Sequence, residues 1–114
     1  MSELYDKLKG LGCDVEKALE RFLDDGDLYL TCLQAFAEDE GFEKLGEAIK
    51  ADNHDEIFQQ AHTLKGVSAN LELATVYQPV AQIVADIRAE RFDRFDELYA
   101  QTLAAQAQLK ELIA

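Results

Sequence analysis

The chain has 114 residues, 48% of them hydrophobic, and its 11 basic and 23 acidic residues give a formal net charge of −12 at pH 7. This length suits one domain with one core, and the hydrophobic content argues against a disordered chain. The negative charge argues against nucleic acid and anionic membranes as partners. Apolar runs stay well short of the roughly 18 residues of a membrane-spanning helix, and no signal peptide is recognisable, so we expect a cytoplasmic protein.

Helical spacing dominates the N-terminal half, and the alternation typical of strands is missing. Residues 1–12 are ambiguous and fit at most a short helix that ends at Gly10-Leu11-Gly12. Asp14 is the expected N-cap of the next helix, which the Asp24-Asp25-Gly26-Asp27 run should end. The apolar side of that helix is formed by Val15, Ala18, Leu19, Phe22 and Leu23.

Two more helical segments follow before residue 52. The first should run to about Glu38 and carry Leu28, Leu30, Cys32, Leu33 and Phe36 as its apolar residues. Gly41 then marks a bend, and helical spacing resumes through Phe42, Leu45 and Ile49 as far as Ala51.

The central helix has the clearest start signal, because Asn53 with Glu56 three residues later resembles a capping box. Its apolar positions Ile57, Ala61, Leu64, Ser68 and Leu71 lie on one stripe. On an ideal helical wheel His62 points about 145° from the centre of this stripe. We therefore expect an exposed imidazole.

Two further helices complete the chain. One carries Val76, Val80, Ile83, Val84 and Ile87, with Pro79 either near its start or at a kink. The link Arg91-Phe92-Asp93 leads to the last helix, with Phe95, Leu98, Tyr99, Leu103, Leu109 and Ile113. Four long helices joined by short links predict one all-α domain over residues 1–114, an antiparallel up-and-down four-helix bundle with a short extra N-terminal helix or helices.

The segment Ala61-His62-Thr63-Leu64-Lys65-Gly66 carries the chemistry. Residues three and four apart share a helix face, so His62, Lys65 and Gly66 form one surface patch. A glycine within a helix costs about 1 kcal/mol relative to alanine. Its position beside the imidazole is explained if a bulky group must reach the ring, or if a neighbouring helix packs closely on Gly66.

This segment resembles the core motif of the histidine-containing phosphotransfer (HPt) family, H-x-L-K-G followed by small residues, Asn and Leu. The matching positions are His62, Leu64, Lys65, Gly66, Ser68, Asn70 and Leu71. The resemblance implies that His62 carries a phosphoryl group, that Lys65 stabilises it and that Gly66 keeps the approach open. On the helical wheel Phe58, Gln59 and Ala69 also lie around the imidazole, and we expect them to contact the partner.

The resemblance implies that this chain is a phosphotransfer protein of a bacterial-type two-component phosphorelay and that it has no kinase or hydrolase activity. Its partners would be response-regulator receiver domains, a histidine kinase or both, and the magnesium ion and acceptor aspartate would belong to the receiver. We expect the protein to be a monomer and to need no cofactor of its own. In some members a polar side chain on the following helix supports the imidazole. Val84 falls near that position here, so this role is open, with Gln78 and Gln82 as the candidates to fill it.

Other chemistries find weaker support. Gly41 and Gly46 have phosphate-loop spacing, but Glu47 and Ala48 replace the required Lys and Ser/Thr. Cys13 and Cys32 are isolated and predict free, buried or half-buried thiols.

A metal site built from His54, Asp55 and His62 is poorly spaced, so no metal is expected. A hydrolase or metalloenzyme lacks a motif. The main alternative function is a helical adaptor that binds signalling partners without carrying phosphate.

Overall fold

A computed structural model describes residues 2–114, and this part of the chain contains helices and no strand. Its helices are α1 (Ser2–Gly10), α2 (Val15–Arg21), α3 (Gly26–Ala37), α4 (Gly41–Lys50), α5 (His54–Asn70), α6 (Ala74–Arg88) and α7 (Phe95–Ile113). The all-α prediction is confirmed. No helix in the described range is both long and apolar enough to cross a membrane.

The predicted caps form at the starts of α2 and α5. Asp14 Oδ1 accepts a hydrogen bond from a first-turn amide at 3.1 Å, and Asn53 Oδ1 accepts one from the Glu56 amide at 3.2 Å. The second half of the predicted capping box is wrong. The Asn53 amide already donates to the Ala48 carbonyl, and the Glu56 carboxylate accepts from the Gln60 side chain instead.

The N-terminal segment is more regular than its sequence indicated. The ambiguous residues 1–12 contain α1, whose Leu8 is completely buried, while Met1 lies outside the described residues. Leu23 does not belong to the apolar side of α2. That helix ends at Arg21, and Leu23 takes a positive φ of 54° in the following turn, which turns its side chain outward to 89% exposure.

The predicted apolar side of α3 is partly wrong. Leu33 is buried as expected, but Leu28 is 46% exposed and Leu30 is only partly buried. Tyr29, four residues before Leu33, takes the core position instead. Its hydroxyl donates to the Leu71 carbonyl at 2.9 Å, which satisfies the polar end of a fully buried ring.

Helices α4 to α7 pack as a closed set of neighbours. α4 contacts α5, α5 contacts α6, α6 contacts α7, and α7 returns to α4 and also contacts α3. Residues 51–53, 71–73 and 89–94 link them. The core that these helices share includes Phe42, Leu45, Ile57, Leu64, Val76, Val80, Ile83, Leu98 and Leu109.

Helices α6 and α7 each depart from the simple pattern at one position. Pro79 lies inside α6 and is buried, and since proline lacks an amide hydrogen, the Thr75 carbonyl loses its usual donor. Leu103, one of the apolar residues assigned to the last helix, is 39% exposed. Thr102 is buried in its place, which is tolerated because its hydroxyl donates to the Leu98 carbonyl at 2.8 Å.

The two glycines with phosphate-loop spacing, Gly41 and Gly46, both lie within α4 and form no loop. Gly46 allows a close helix approach. A Cβ atom added there would collide with the hydroxyl and ring of Tyr99, which reaches across from α7. The Tyr99 hydroxyl donates to the Phe42 carbonyl at 2.9 Å, so this approach also joins α7 to α4.

Candidate functional site

Helix α5 presents opposite faces to the core and to solvent. The predicted stripe of Ile57, Ala61, Leu64, Ser68 and Leu71 is buried throughout. His62 is exposed, as its wheel position predicted. Residues 58, 59, 65, 66 and 69 fall within about 60° of His62 on an ideal wheel, so they form one surface, which we call the His62 face.

Gly66 on the His62 face is open to solvent. A Cβ atom added at this glycine would meet no atom within 4 Å. The alternative in which a neighbouring helix packs on Gly66 is therefore wrong. Gly46 differs, because a Cβ atom added there would strike Tyr99.

Phe58 contacts the imidazole directly. It lies one turn before His62 and is half-buried, and the two rings stack with centroids 5.5 Å apart and planes 20° from parallel. The guanidinium carbon of Arg88, the last residue of α6, lies 5.5 Å from the centroid of the same phenyl ring. Phe58 therefore joins the imidazole to a cation from another helix.

Sequence reasoning missed Arg88. An arginine at the end of an amphipathic helix is an ordinary surface residue with a favourable position relative to the helix dipole. Only the packing of α6 against α5 brings it to Phe58. No local signal in residues 74–88 identifies that contact.

The remaining expected site residues also lie on the His62 face. Lys65 is half-buried, and its carbonyl accepts from the Ser68 hydroxyl at 3.0 Å. Gln59 is exposed, and Ala69 is half-buried. Among the described residues, neither Lys65 nor Arg88 forms an ion pair within 4 Å, so neither of these two cations has a carboxylate partner.

Neither glutamine of α6 supports the imidazole. The Gln82 amide donates to Asp86 Oδ1 at 2.7 Å, and Gln78 lines a groove between α6 and α7. Val84 is buried in the core. Within residues 2–114 the His62 ring has no hydrogen-bond partner, and it stacks on Phe58.

Between α6 and the start of α7 lies an ion pair with a buried carboxylate and a half-buried guanidinium, which sequence reasoning also missed. Asp86 is 2% exposed and accepts from Arg94 Nη2 at 2.8 Å and Arg94 Nε at 3.0 Å. Hydrogen bonds from the Arg94 guanidinium lower the pKa of the Asp86 carboxyl, and they outweigh the opposite effect of burial. The pair joins the end of α6 to the start of α7 and has no contact with the His62 face.

The C-terminal end of α5 is held by residues from the N-terminal helices. Arg21 Nη1 donates to the carbonyls of Ala69 and Asn70 at 3.0 and 3.1 Å, and it pairs with Glu72 at 2.8 Å. A cation at the last carbonyls of a helix also favourably opposes the helix dipole. The motif helix is therefore anchored just beyond the His62 face.

The residues of the less favoured chemistries lie apart from His62. The His54 ring hydrogen-bonds Asp52 Oδ1 at 2.9 Å and stacks on Phe92 at a centroid distance of 4.1 Å. The described chain contains no group of three or more His, Cys, Asp or Glu residues with metal-site geometry.

Both cysteines are free, as predicted; Cys13 is buried and Cys32 half-buried. Burial raises the pKa of the Cys13 thiol to about 11, so that thiol stays protonated at neutral pH.

A family model described as Hpt domain matches residues 17–113 of the 114-residue chain. Comparison with curated proteins and comparison with solved structures both find no match. The matched range begins inside α2 and includes α3 to α7, so it contains the whole His62 face and Arg88.

Proposed function

Because this chain belongs to the Hpt domain family, whose members are histidine phosphotransfer carriers of two-component systems, we propose that it is a phosphorelay intermediate. In this proposal His62 accepts a phosphoryl group from a receiver-domain aspartate, or from a kinase, and passes it to another receiver. The observation that carries it is the exposed imidazole of His62 beside the open position at Gly66.

The transfer step uses few groups of this chain. The lone pair of one ring nitrogen of neutral His62 attacks the phosphorus of an aspartyl phosphate. A nitrogen–phosphorus bond forms, the bond from phosphorus to the aspartate oxygen breaks, and the carboxylate leaves with the electron pair. The second ring nitrogen keeps its proton during the attack. The phosphorylated imidazolium that results then releases this proton to solvent.

The residues around His62 have separate roles in this proposal. Lys65 neutralises negative charge on the phosphoryl oxygens, because phosphoryl transfer depends mainly on positioning and electrostatic stabilisation. Gly66 admits the receiver surface, since no side chain covers this position. Phe58, Gln59 and Ala69 contact the receiver.

The architecture and setting complete the proposal. Neighbouring contacts among α4, α5, α6 and α7 support an antiparallel up-and-down bundle with α1 to α3 as N-terminal additions. One buried cluster extends from Leu8 to Leu109, which supports a single domain over residues 1–114. We place the protein in the cytoplasm as a monomer, with receiver domains or a histidine kinase as its partners and no kinase or hydrolase activity of its own.

Labelling of His62 tests this function. The protein is incubated with a phosphorylated receiver domain, and separately with phosphoramidate as a small-molecule donor, and the label is mapped by mass spectrometry. We expect a label that is lost in mild acid and survives base, as for a phosphoramidate, and that is absent from His62→Gln. Since His62 is exposed, this substitution should leave the melting temperature nearly unchanged.

His54→Gln is the matched control, because it removes the other histidine. It should be labelled like the unmodified sequence. Label that persists in His62→Gln, or that maps to His54, contradicts the proposal. A chain that binds receiver domains but takes label from neither donor is the helical adaptor instead.

A further inference from the structure

The imidazole of His62 is supported by an aromatic ring in place of a hydrogen-bonding side chain. Val84 is buried, Gln82 is occupied by Asp86, and Gln78 lies in the groove between α6 and α7. The contact that the structure provides is the nearly parallel stack of the imidazole on Phe58. This stack limits rotation of the imidazole about its side-chain bonds, because any other orientation loses the ring contact.

The same phenyl ring holds a cation. The Arg88 guanidinium carbon lies 5.5 Å from the Phe58 centroid, within the usual range of a cation–π contact. The side chain of Arg88 is exposed and pairs with no carboxylate in the described chain, although the protein has 23 acidic residues. A flexible guanidinium without an ionic partner therefore lies next to the residue that stacks on His62.

We infer that Phe58 and Arg88 act together on the phosphorylated protein: Phe58 positions the imidazole and the guanidinium, and Arg88 binds the phosphoryl oxygens on His62. This inference rests on the proposed function. Arg88 supplies a second cation besides Lys65, from a different helix. Its planar fork of donors matches phosphate oxygens, and hydrogen bonds between ionised groups are stronger than an exposed cation–π contact. Arg88 therefore turns from the ring toward the phosphoryl group once His62 is modified.

The simpler interpretation makes Arg88 a helix-terminal cation that only stabilises the end of α6. Phosphorus-31 NMR separates the two interpretations, because a helix-terminal role leaves the titration of a phosphoryl group on His62 unchanged. A nearby cation favours the dianionic form and so lowers the phosphoryl pKa. A unit positive charge that lies about 6 Å from the phosphoryl oxygens, in a solvent-exposed setting, lowers the phosphoryl pKa by about half a unit.

The experiment uses the 114-residue chain after phosphoramidate has labelled it on His62. We expect Arg88→Gln to raise the phosphoryl pKa by about 0.5 unit and to shorten the lifetime of the label about threefold. Arg91→Gln, which removes an exposed arginine three residues further along the chain, should change neither quantity. An unchanged pKa in Arg88→Gln, or an equal shift in Arg91→Gln, overturns the inference.

Variants of Phe58 test whether the two residues act as a unit. Phe58→Leu should raise the phosphoryl pKa by less than Arg88→Gln does, because the guanidinium is kept but is no longer held beside His62. The double variant should show the Arg88→Gln shift and no more, since Phe58 acts on the phosphoryl group through Arg88. Phe58→Tyr keeps the aromatic face and should retain the original pKa. If Phe58→Leu melts early, comparison of Phe58→Tyr with Phe58→Tyr/Arg88→Gln still decides the inference, because only the second should show the shift. Absence of any label on His62 would instead refute the proposed function.

Discussion

Gly66 and Gly46 provide a matched pair of substitutions with opposite expected effects. Both glycines lie inside helices, and each is replaced by alanine. At Gly66 an added Cβ meets no atom within 4 Å, so only intrinsic helix propensity changes. Alanine is favoured over glycine by about 1 kcal/mol in a helix interior. For a domain of this size, Gly66→Ala should raise the melting temperature by about 4 °C.

At Gly46 the same methyl group strikes Tyr99. The tyrosine ring must move, and its 2.9 Å hydrogen bond to the Phe42 carbonyl is lost or distorted. Overpacking costs about 1–3 kcal/mol, and a lost hydrogen bond about 1 kcal/mol, which together outweigh the gain in propensity. We expect Gly46→Ala to lower the free energy of unfolding by about 2 kcal/mol.

Circular dichroism melting measures both effects, and a transfer assay on the same samples separates access from stability. Gly66→Gln should keep native helicity and melt at or above the original temperature, yet lose phosphotransfer from a receiver domain, because its side chain fills the open position. Gly66→Ala, with one methyl group, should retain most of the transfer rate. A clear fall in the melting temperature of either Gly66 variant would refute the reasoning, since it would mean that a neighbouring helix needs that space.

Three further predictions concern cations and their partners. Lys65→Ala should slow transfer about tenfold without abolishing it, since one partly exposed charge stabilises the transition state by on the order of 1–2 kcal/mol. Rapid-quench kinetics measure the transfer rate, with Lys50→Ala as the control. An unchanged rate in Lys65→Ala would mean that Lys65 is only a surface residue. Asp86→Asn should destabilise the protein at neutral pH. Because the folded pKa of Asp86 lies below its ordinary value, its stabilising effect is complete above about pH 4 and is lost as the pH falls through the folded pKa. Urea titrations from pH 6 to pH 2 should therefore show the two proteins converging in acid, and a constant difference would contradict this. Arg21→Ala should lower the free energy of unfolding by about 1 kcal/mol, because the last carbonyls of α5 lose their donor. Lys17→Ala is the control near Arg21 and should have little effect. Equal effects of the two substitutions would mean that the Arg21 hydrogen bonds to α5 do not stabilise the fold.

The helices and the position of His62 follow from short-range patterns. Asp14 and Asn53 cap the helices that they were expected to cap, because a side-chain oxygen beside free first-turn amides needs no distant partner. The buried stripe of α5 and the exposure of His62 follow from its helical period. Errors appear where a residue's surroundings depend on another helix: Leu103 is apolar and correctly spaced, yet α7 leaves it at the surface.

The sequence by itself determined that the chain is helical, that His62, Lys65 and Gly66 share a face, and which family motif they match, since all of these depend on spacing within one helix. Tertiary structure alone decided what surrounds that face. Arg88 reaches Phe58 because α6 packs on α5. Gly46 is covered because Tyr99 of α7 lies against it, whereas no side chain lies over Gly66. Contacts between residues far apart in the chain depend on how the helices pack, and a single sequence contains no local signal for them.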